Sequence, residues 1–223
     1  MGDLKLNLRH IPCDLSKPDQ VDHALAQIQG FLTHEVPAGR ILLVNNSGFG
    51  IYGKFGNYGA AQELEMLDVD VRAVLQLTGG LLPALLARGG AVVTVASTAA
   101  FQPTAYLDTY AAAKAFLLHW SLGLNEELRG TGVRALAVCP GPTSTEFYRR
   151  AGIDEGTVPD AFSETSEQVA VATLRALAAG KAMVVSGWTN RLAAAVVTKL
   201  PKPLAARLTA LAMARSRMSR VQR

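Results

Sequence analysis

The chain has 223 residues, 49% of them hydrophobic, which suits one globular domain with a substantial core. Its formal net charge of +4 belongs to the tail: Arg191 to Arg223 holds eight Lys/Arg and no Asp/Glu, leaving 14 basic against 18 acidic residues elsewhere. The body of the chain is therefore mildly acidic, and a nucleic-acid function for it finds no support.

Two cysteines, Cys13 and Cys139, lie far apart with apolar neighbours and read as free thiols of a reducing, cytoplasmic compartment. No metal-ligand spacing occurs, and the opening MGDLKLNLRH lacks the apolar core of a signal peptide.

Apolar and polar residues alternate from Leu4 to Ile11, which predicts a strand ending near Asp14. Ser16 is placed to cap the next helix, with Pro18 in its first turn and an end near His34. The run Ile41-Leu42-Leu43-Val44 is of the buried parallel-strand type and stops at Asn45-Asn46-Ser47-Gly48. A Gly- and aromatic-rich loop, FGIYGKFGNYG, follows. A long helix is predicted from Ala60 to Arg88, its apolar face taken as Leu64, Leu67, Val71, Val74, Leu75, Leu81 and Leu85, with Pro83 as a kink near its end.

Gly89-Gly90 breaks that helix before a second buried strand, Ala91 to Ala96. A further helix is predicted from Leu107 to Arg129, closed by Gly130-Thr131-Gly132. Val133 to Val138 reads as another strand, stopped by Pro140-Gly141-Pro142. Thr143 to Glu164 is polar and poorly periodic, a flap over a site. Ser163 or Thr165 caps a helix over 166–179, and Met183-Val184-Val185 is a short last strand. Residues 1–190 form one domain on this reading, and 191–223 a basic, apolar tail.

Ligands of open parallel sheets bind beyond the carboxyl ends of the strands. Here those ends carry Asp14, Asn45 to Gly48, Ser97 and Pro140-Gly141, so the polar groups converge on one edge. Tyr110 and Lys114 stand four residues apart on the helix that follows Ser97, one turn apart on one face. A hydroxyl, a phenol and an amine in that arrangement make a proton-transfer site.

The chain resembles the classical short-chain dehydrogenase/reductase family. The resemblance rests on Asn45-Asn46-Ser47-Gly48 (the family's NNAG, with Ser for Ala), Ser97, Tyr110-x-x-x-Lys114 and Pro140-Gly141-x-x-x-Thr145. YxxxK alone is a weak signal; the four motifs in order and at family spacing are a strong one. The resemblance implies an α/β fold, a Rossmann-like doubly wound parallel sheet, from about Leu4 to Gly187.

It also implies an NAD(P)-dependent oxidoreductase that interconverts an alcohol and a carbonyl, with NADPH slightly favoured over NAD. Tyr110 would be the general acid/base, its phenol brought down by Lys114, which would also hold the nicotinamide ribose; Ser97 would orient the substrate oxygen. Asp14, with Leu15 beside it, would meet the adenine, and Asn45, Asn46, Ser47 and Gly48 would line the adenosine side. Thr143, Thr145 and the backbone after Pro140, including Gly141, would hold the carboxamide. A homo-oligomer is implied through the two long helices.

There are two departures from the family pattern. Asp70 stands where the family often has an Asn whose backbone carbonyl supports a water relay to the lysine; a carboxylate there is expected to raise Lys114. The TGxxxGxG segment that cradles the pyrophosphate is not in these residues, nor are the first two strands and helices, so the fold is expected to be truncated at its N-terminal side. The predicted 4–11 strand then lacks its family neighbour, and the Ile41–Val44 strand becomes a bare apolar edge. Weak NADPH binding by this chain is expected. Two alternatives stand beside the enzyme reading: an inactive homologue, or an incomplete reading of a longer gene, acting as an interaction module; and a peripheral protein whose basic tail makes weak membrane-surface contact, against which stands a tail that packs over the substrate pocket or frays.

Overall fold

The computed structural model describes residues 8–143, 147, 151 and 163–215. Its centre is a sheet of four parallel strands in the order β1-β2-β3-β4: Ile41–Asn45, Gly90–Val95, Val133–Cys139 and Met183–Val185. Register is set by pairs such as Leu43 with Val92, Val93 with Leu136, and Val138 with Val184. Because every strand runs the same way, Asn45, Val95, Cys139 and Val185 all end at one edge. The segments that leave those ends carry the predicted site.

Side chains of the inner strands alternate between two helical layers. Val92, Val133 and Ala135 pack with Leu81 and Leu85 of α3 (Ala73–Arg88) and Leu124 of α4 (Asp108–Glu127). Val93, Leu136 and Val138 turn the other way, to Ala176 of α5 (Ser166–Ala178). Burial on both faces is why β2 and β3 read as continuous apolar runs. Helix α1 (Pro18–His34) lies against α3, and the last helices among the described residues are α6 (Trp188–Val197) and α7 (Lys202–Arg215). The predicted boundary at residue 190 falls inside α6.

Several expectations are corrected. The predicted strand near the N-terminus falls partly outside the described residues; its described part, 8–14, has no regular structure. Alternation gives a strand only where a neighbour takes its hydrogen bonds, and among the described residues β1 pairs with β2 alone. Leu42 and Val44 on β1 are each 49% exposed, as expected for a bare edge. Ser16 does not cap α1: its hydroxyl and amide both donate to Asp14 Oδ1, at 2.8 and 2.9 Å, and Lys17 occupies the cap. Thr165, not Ser163, caps α5, in a reciprocal box with Gln168.

The long helix from Ala60 to Arg88 is not uniform. An α-helical stretch, α2 (Ala60–Leu67), passes into a π-helical turn, Asp68–Arg72, before α3 begins. The wider turn changes which residues face inward. Leu64 is exposed and Leu75 just so, whereas Met66, Asp70 and Thr78 are buried.

Gly90 opens β2 with φ +144°, and a Cβ there would lie 1.9 Å from the Ile41 carbonyl oxygen. Both the backbone angle and the β1 contact exclude a side chain. Gly90→Ala is expected to cost about 2–4 kcal/mol, seen as a lower urea midpoint with an unchanged denaturant slope.

Candidate active site

Lys114 lies in the first half of α4, and its Nζ donates to the Val95 carbonyl at the end of β2, at 3.2 Å. On its other side Nζ stands 3.0 Å from Asp70 Oδ2. Both side chains are buried, Lys114 5% and Asp70 0% exposed, so this ion pair is shielded from water and salt. The π-helical turn carries Asp70 to this position, and its second oxygen accepts the Phe49 amide at 3.0 Å. The carboxylate thus joins the loop after β1 to the lysine of α4.

Gly48 explains the glycine of the Asn-Asn-Ser-Gly motif. A Cβ there would lie 3.0 Å from both Asp70 Oδ1 and Lys114 Nζ. The backbone passes so close to the ion pair that any side chain would press it apart.

Ser97 follows β2 in extended conformation and caps a short 3₁₀ turn, Thr98–Phe101, its Oγ accepting the Ala99 amide at 3.1 Å. A hydroxyl has two lone pairs and one proton, and that proton is donated to the Tyr110 phenol. The Tyr110 phenol lies against the Phe147 ring, with centroids 5.2 Å apart. Lys114 Nζ stands 5.5 Å from the Tyr110 ring centroid.

Burial pushes the Tyr110 phenol above its ordinary value; the Lys114 charge and a hydrogen bond from Ser97 pull it down, and the Asp70 charge adds to the rise. The net direction is upward: the Lys114 charge lowers the phenol as expected, and burial outweighs that charge. Burial works against the Lys114 ammonium, but the charges of Asp70 and Tyr110 and the hydrogen bond to Asp70 outweigh it and hold the group above the usual lysine value. That direction agrees with the expectation for a carboxylate at position 70. At neutral pH the site therefore holds a phenol and an ammonium.

These groups open onto a cavity of about 780 Å³, lined by Asn46, Gly48, Ser97, Tyr110, Lys114, Pro140, Gly141 and Thr143 among the predicted site residues. Others are placed elsewhere. Asn45 turns to Thr78, donating to its hydroxyl at 3.0 Å, and with Ser47 is not part of the lining. Asp14 and Leu15 do not reach the cavity either, and Thr145 lies outside the described residues, as does most of the flap. Gly141 is held against α6, where a Cβ would lie 2.2 Å from Asn190 Nδ2. Glu164 secures the same corner: its amide donates to the Pro142 carbonyl at 2.9 Å, and its carboxylate accepts from Ser186 at 2.6 Å and Asn190 at 3.2 Å.

The far wall follows the reading in which the tail packs over the pocket, but the sequence does not pick out its residues. Tyr52, Gln102, Leu107, Val169 and Met213 also line the cavity. The Tyr52 hydroxyl donates to the Met213 carbonyl at 3.2 Å, across 161 residues. Nothing local marks these positions, because what unites them is the docking of α7 on the site. A nicotinamide cofactor can be tested against this lining. Gly48 and Gly141 keep their positions free of side chains, and the Ser97, Tyr110 and Lys114 groups converge, which fits a nicotinamide ribose. For the phosphates the cavity offers, among the described residues, one cationic side chain, Lys114, already paired with Asp70.

A parallel sheet thus gathers a buried Tyr, Lys and Asp with a Ser hydroxyl at its carboxyl edge. The family profile described as short chain dehydrogenase matches residues 2–156, and the chain belongs to that family. It is 36% identical over 136 residues to the ketoacyl reductase HetN of a Nostoc species, covering 60% of this chain and 45% of that protein. It is 34% identical over 139 residues to a serine 3-dehydrogenase of Agrobacterium fabrum, covering 61% and 53%. The chain thus spans about half the length of these curated relatives. Among solved structures, a short-chain dehydrogenase from Sphingobium yanoikuyae in complex with NADPH superposes with a TM-score of 0.75 at 25% identity, covering 89% of this chain and 78% of that one.

Proposed function

We propose that this chain carries the proton-transfer site of a nicotinamide-dependent reductase that converts an apolar ketone or aldehyde to an alcohol. The observation that carries the reading is the meeting of Ser97, Tyr110 and Lys114 at one largely apolar cavity, with Asp70 buried behind the lysine. When bound, a reduced nicotinamide supplies the hydride. The Tyr110 phenol, protonated at neutral pH, donates the proton that the carbonyl oxygen needs, and the Lys114 charge and the Ser97 hydrogen bond favour that transfer against the pull of burial. The Ser97 hydroxyl, which donates to the Tyr110 phenol, would turn its proton to the same oxygen and stabilise its developing charge. Lys114, fixed by Asp70 and Val95, offers its charge to the phenolate left behind. Gly48, Asn46, Gly141 and Thr143 would flank the nicotinamide ribose and carboxamide.

NADPH is favoured as the cofactor, as in the complex of the Sphingobium yanoikuyae enzyme. A cytoplasmic homo-oligomer completes the proposal. The apolar substrate is read from Val93, Val95, Leu107, Phe147 and Val169 in the lining.

The test is the rate of apolar-ketone reduction at high NADPH across pH. A proton donor held above its ordinary value keeps the rate level through neutrality, with loss only above about pH 10. A profile that falls between pH 6 and 8 would assign the proton to another group.

A further inference from the structure

We propose that the outer faces of α6 and α7 form a docking surface for an anionic lipid bilayer. On α6, Trp188, Leu192 and Val196 recur every four residues and are 72%, 60% and 55% exposed. On α7, Leu204, Leu208 and Leu211 form a second ridge, 44%, 48% and 60% exposed.

The inner faces are already occupied. Asn190 and Ala194 of α6 and Ala205 of α7 are buried. Helix α6 packs on the Thr98–Phe101 turn. Helix α7 is tied to the same stretch by Lys202 Nζ donating to the Phe101 carbonyl at 2.9 Å and Thr209 Oγ1 to the Pro103 carbonyl at 3.0 Å. Both helices rest on one stretch of chain, and the two ridges face away from it. A surface helix that has packed its inner side ordinarily turns polar residues outward. These two turn six large apolar side chains outward instead, a pattern that marks an interaction surface.

Charge identifies the occupant. Arg191, Lys199 and Arg207 are exposed on or between these helices, and no Asp or Glu occurs from 191 to 223. A two-fold contact between two copies would set this cationic face against itself with no acid in the segment to offset it. An anionic bilayer takes the leucines into its apolar layer and the cations at its phosphates, with Trp188 at headgroup depth. Met213, on α7, lines the cavity, so the docked surface backs directly onto one wall of the site.

Co-sedimentation of the full chain with phosphatidylglycerol/phosphatidylcholine vesicles tests this. The chain is expected to pellet with the mixed vesicles and to stay in solution with phosphatidylcholine alone. Lys199→Gln with Arg207→Gln is expected to lower the partition coefficient about 30-fold, at about tenfold lost for each 1.4 kcal/mol and ~1 kcal/mol for each cation. Leu208→Glu is expected to abolish the pelleting, with an unchanged circular dichroism spectrum in each variant. Equal pelleting of the doubly neutralised variant, or no pelleting of the parent chain, would overturn the proposal. So would a concentration-dependent dimer that Leu208→Glu dissociates while the parent chain ignores vesicles, since a second copy then covers the face.

Discussion

Tyr110→Phe is expected to abolish carbonyl reduction, lowering kcat by about 10²–10⁴-fold, with little change in thermal stability. The ring would remain against Phe147, and the change removes only the hydroxyl. The Lys114–Asp70 pair and the Gly48 approach do not depend on that oxygen, so the ribose side of the cavity is expected to stay intact. Stopped-flow measurement with the variant at saturating cofactor separates loss of chemistry from loss of binding. Turnover equal to that of the parent chain would mean that the proton comes from elsewhere.

Asp70 has the second large effect, and its two substitutions separate two roles. Asp70→Ala would leave the Lys114 ammonium buried with its charge unpaired. Breaking a buried pair this way is expected to cost about 3–5 kcal/mol of stability, read as a fall in urea midpoint. Asp70→Asn keeps the shape and is expected to cost less. The pH dependence has a definite sign. Against burial, the Asp70 charge holds Lys114 above its ordinary value, so while Asp70 is ionised its contribution to stability is present below about pH 10 and lost as pH rises through the folded value. Burial raises Asp70, whose protonation ends the contribution at the acid end. Removing the carboxylate lowers the folded value of Lys114 and narrows that high-pH window. The Asp70 charge also raises the Tyr110 phenol, so Asp70→Asn is expected to move the alkaline limb of reduction to lower pH. Stability and rate profiles of Asp70→Asn that overlay those of the parent chain would remove Asp70 from both roles.

What the sequence made legible follows physical rules of short range. Tyr110 and Lys114 were readable because a helix brings residues four apart onto one face, and Ser97 because a buried strand must end where polar groups can meet a ligand. Asp70 was legible as a position and as a charge acting on Lys114, but not in the turn that places it. The π-helical turn that carries it to Lys114 leaves no mark in the apolar pattern, and the same turn misassigned Leu64 and Leu75 to the buried face. The direction of the Tyr110 shift depends on burial supplied by distant elements, which local spacing does not encode. The tail shows the converse. Its apolar and basic character was plain, yet Ala205 and Met213 face the body while the leucines face outward, because small residues allow α7 to seat closely on the site. Asp14 failed differently: its carboxylate accepts from Ser16 beside it, with no strand to carry it to the edge.

The central claim is that this chain holds the reacting, nicotinamide end of the cofactor and lacks cationic support for the phosphates within the described cavity. Comparing reduced nicotinamide mononucleotide with NADPH by titration calorimetry and NMR tests it most directly. The account predicts similar, weak affinities for the two, with resonances perturbed at Tyr110, Lys114 and Gly48. Micromolar binding of NADPH together with no detectable binding of the mononucleotide would contradict it, because the affinity would then come from phosphate contacts rather than from the site built around Tyr110.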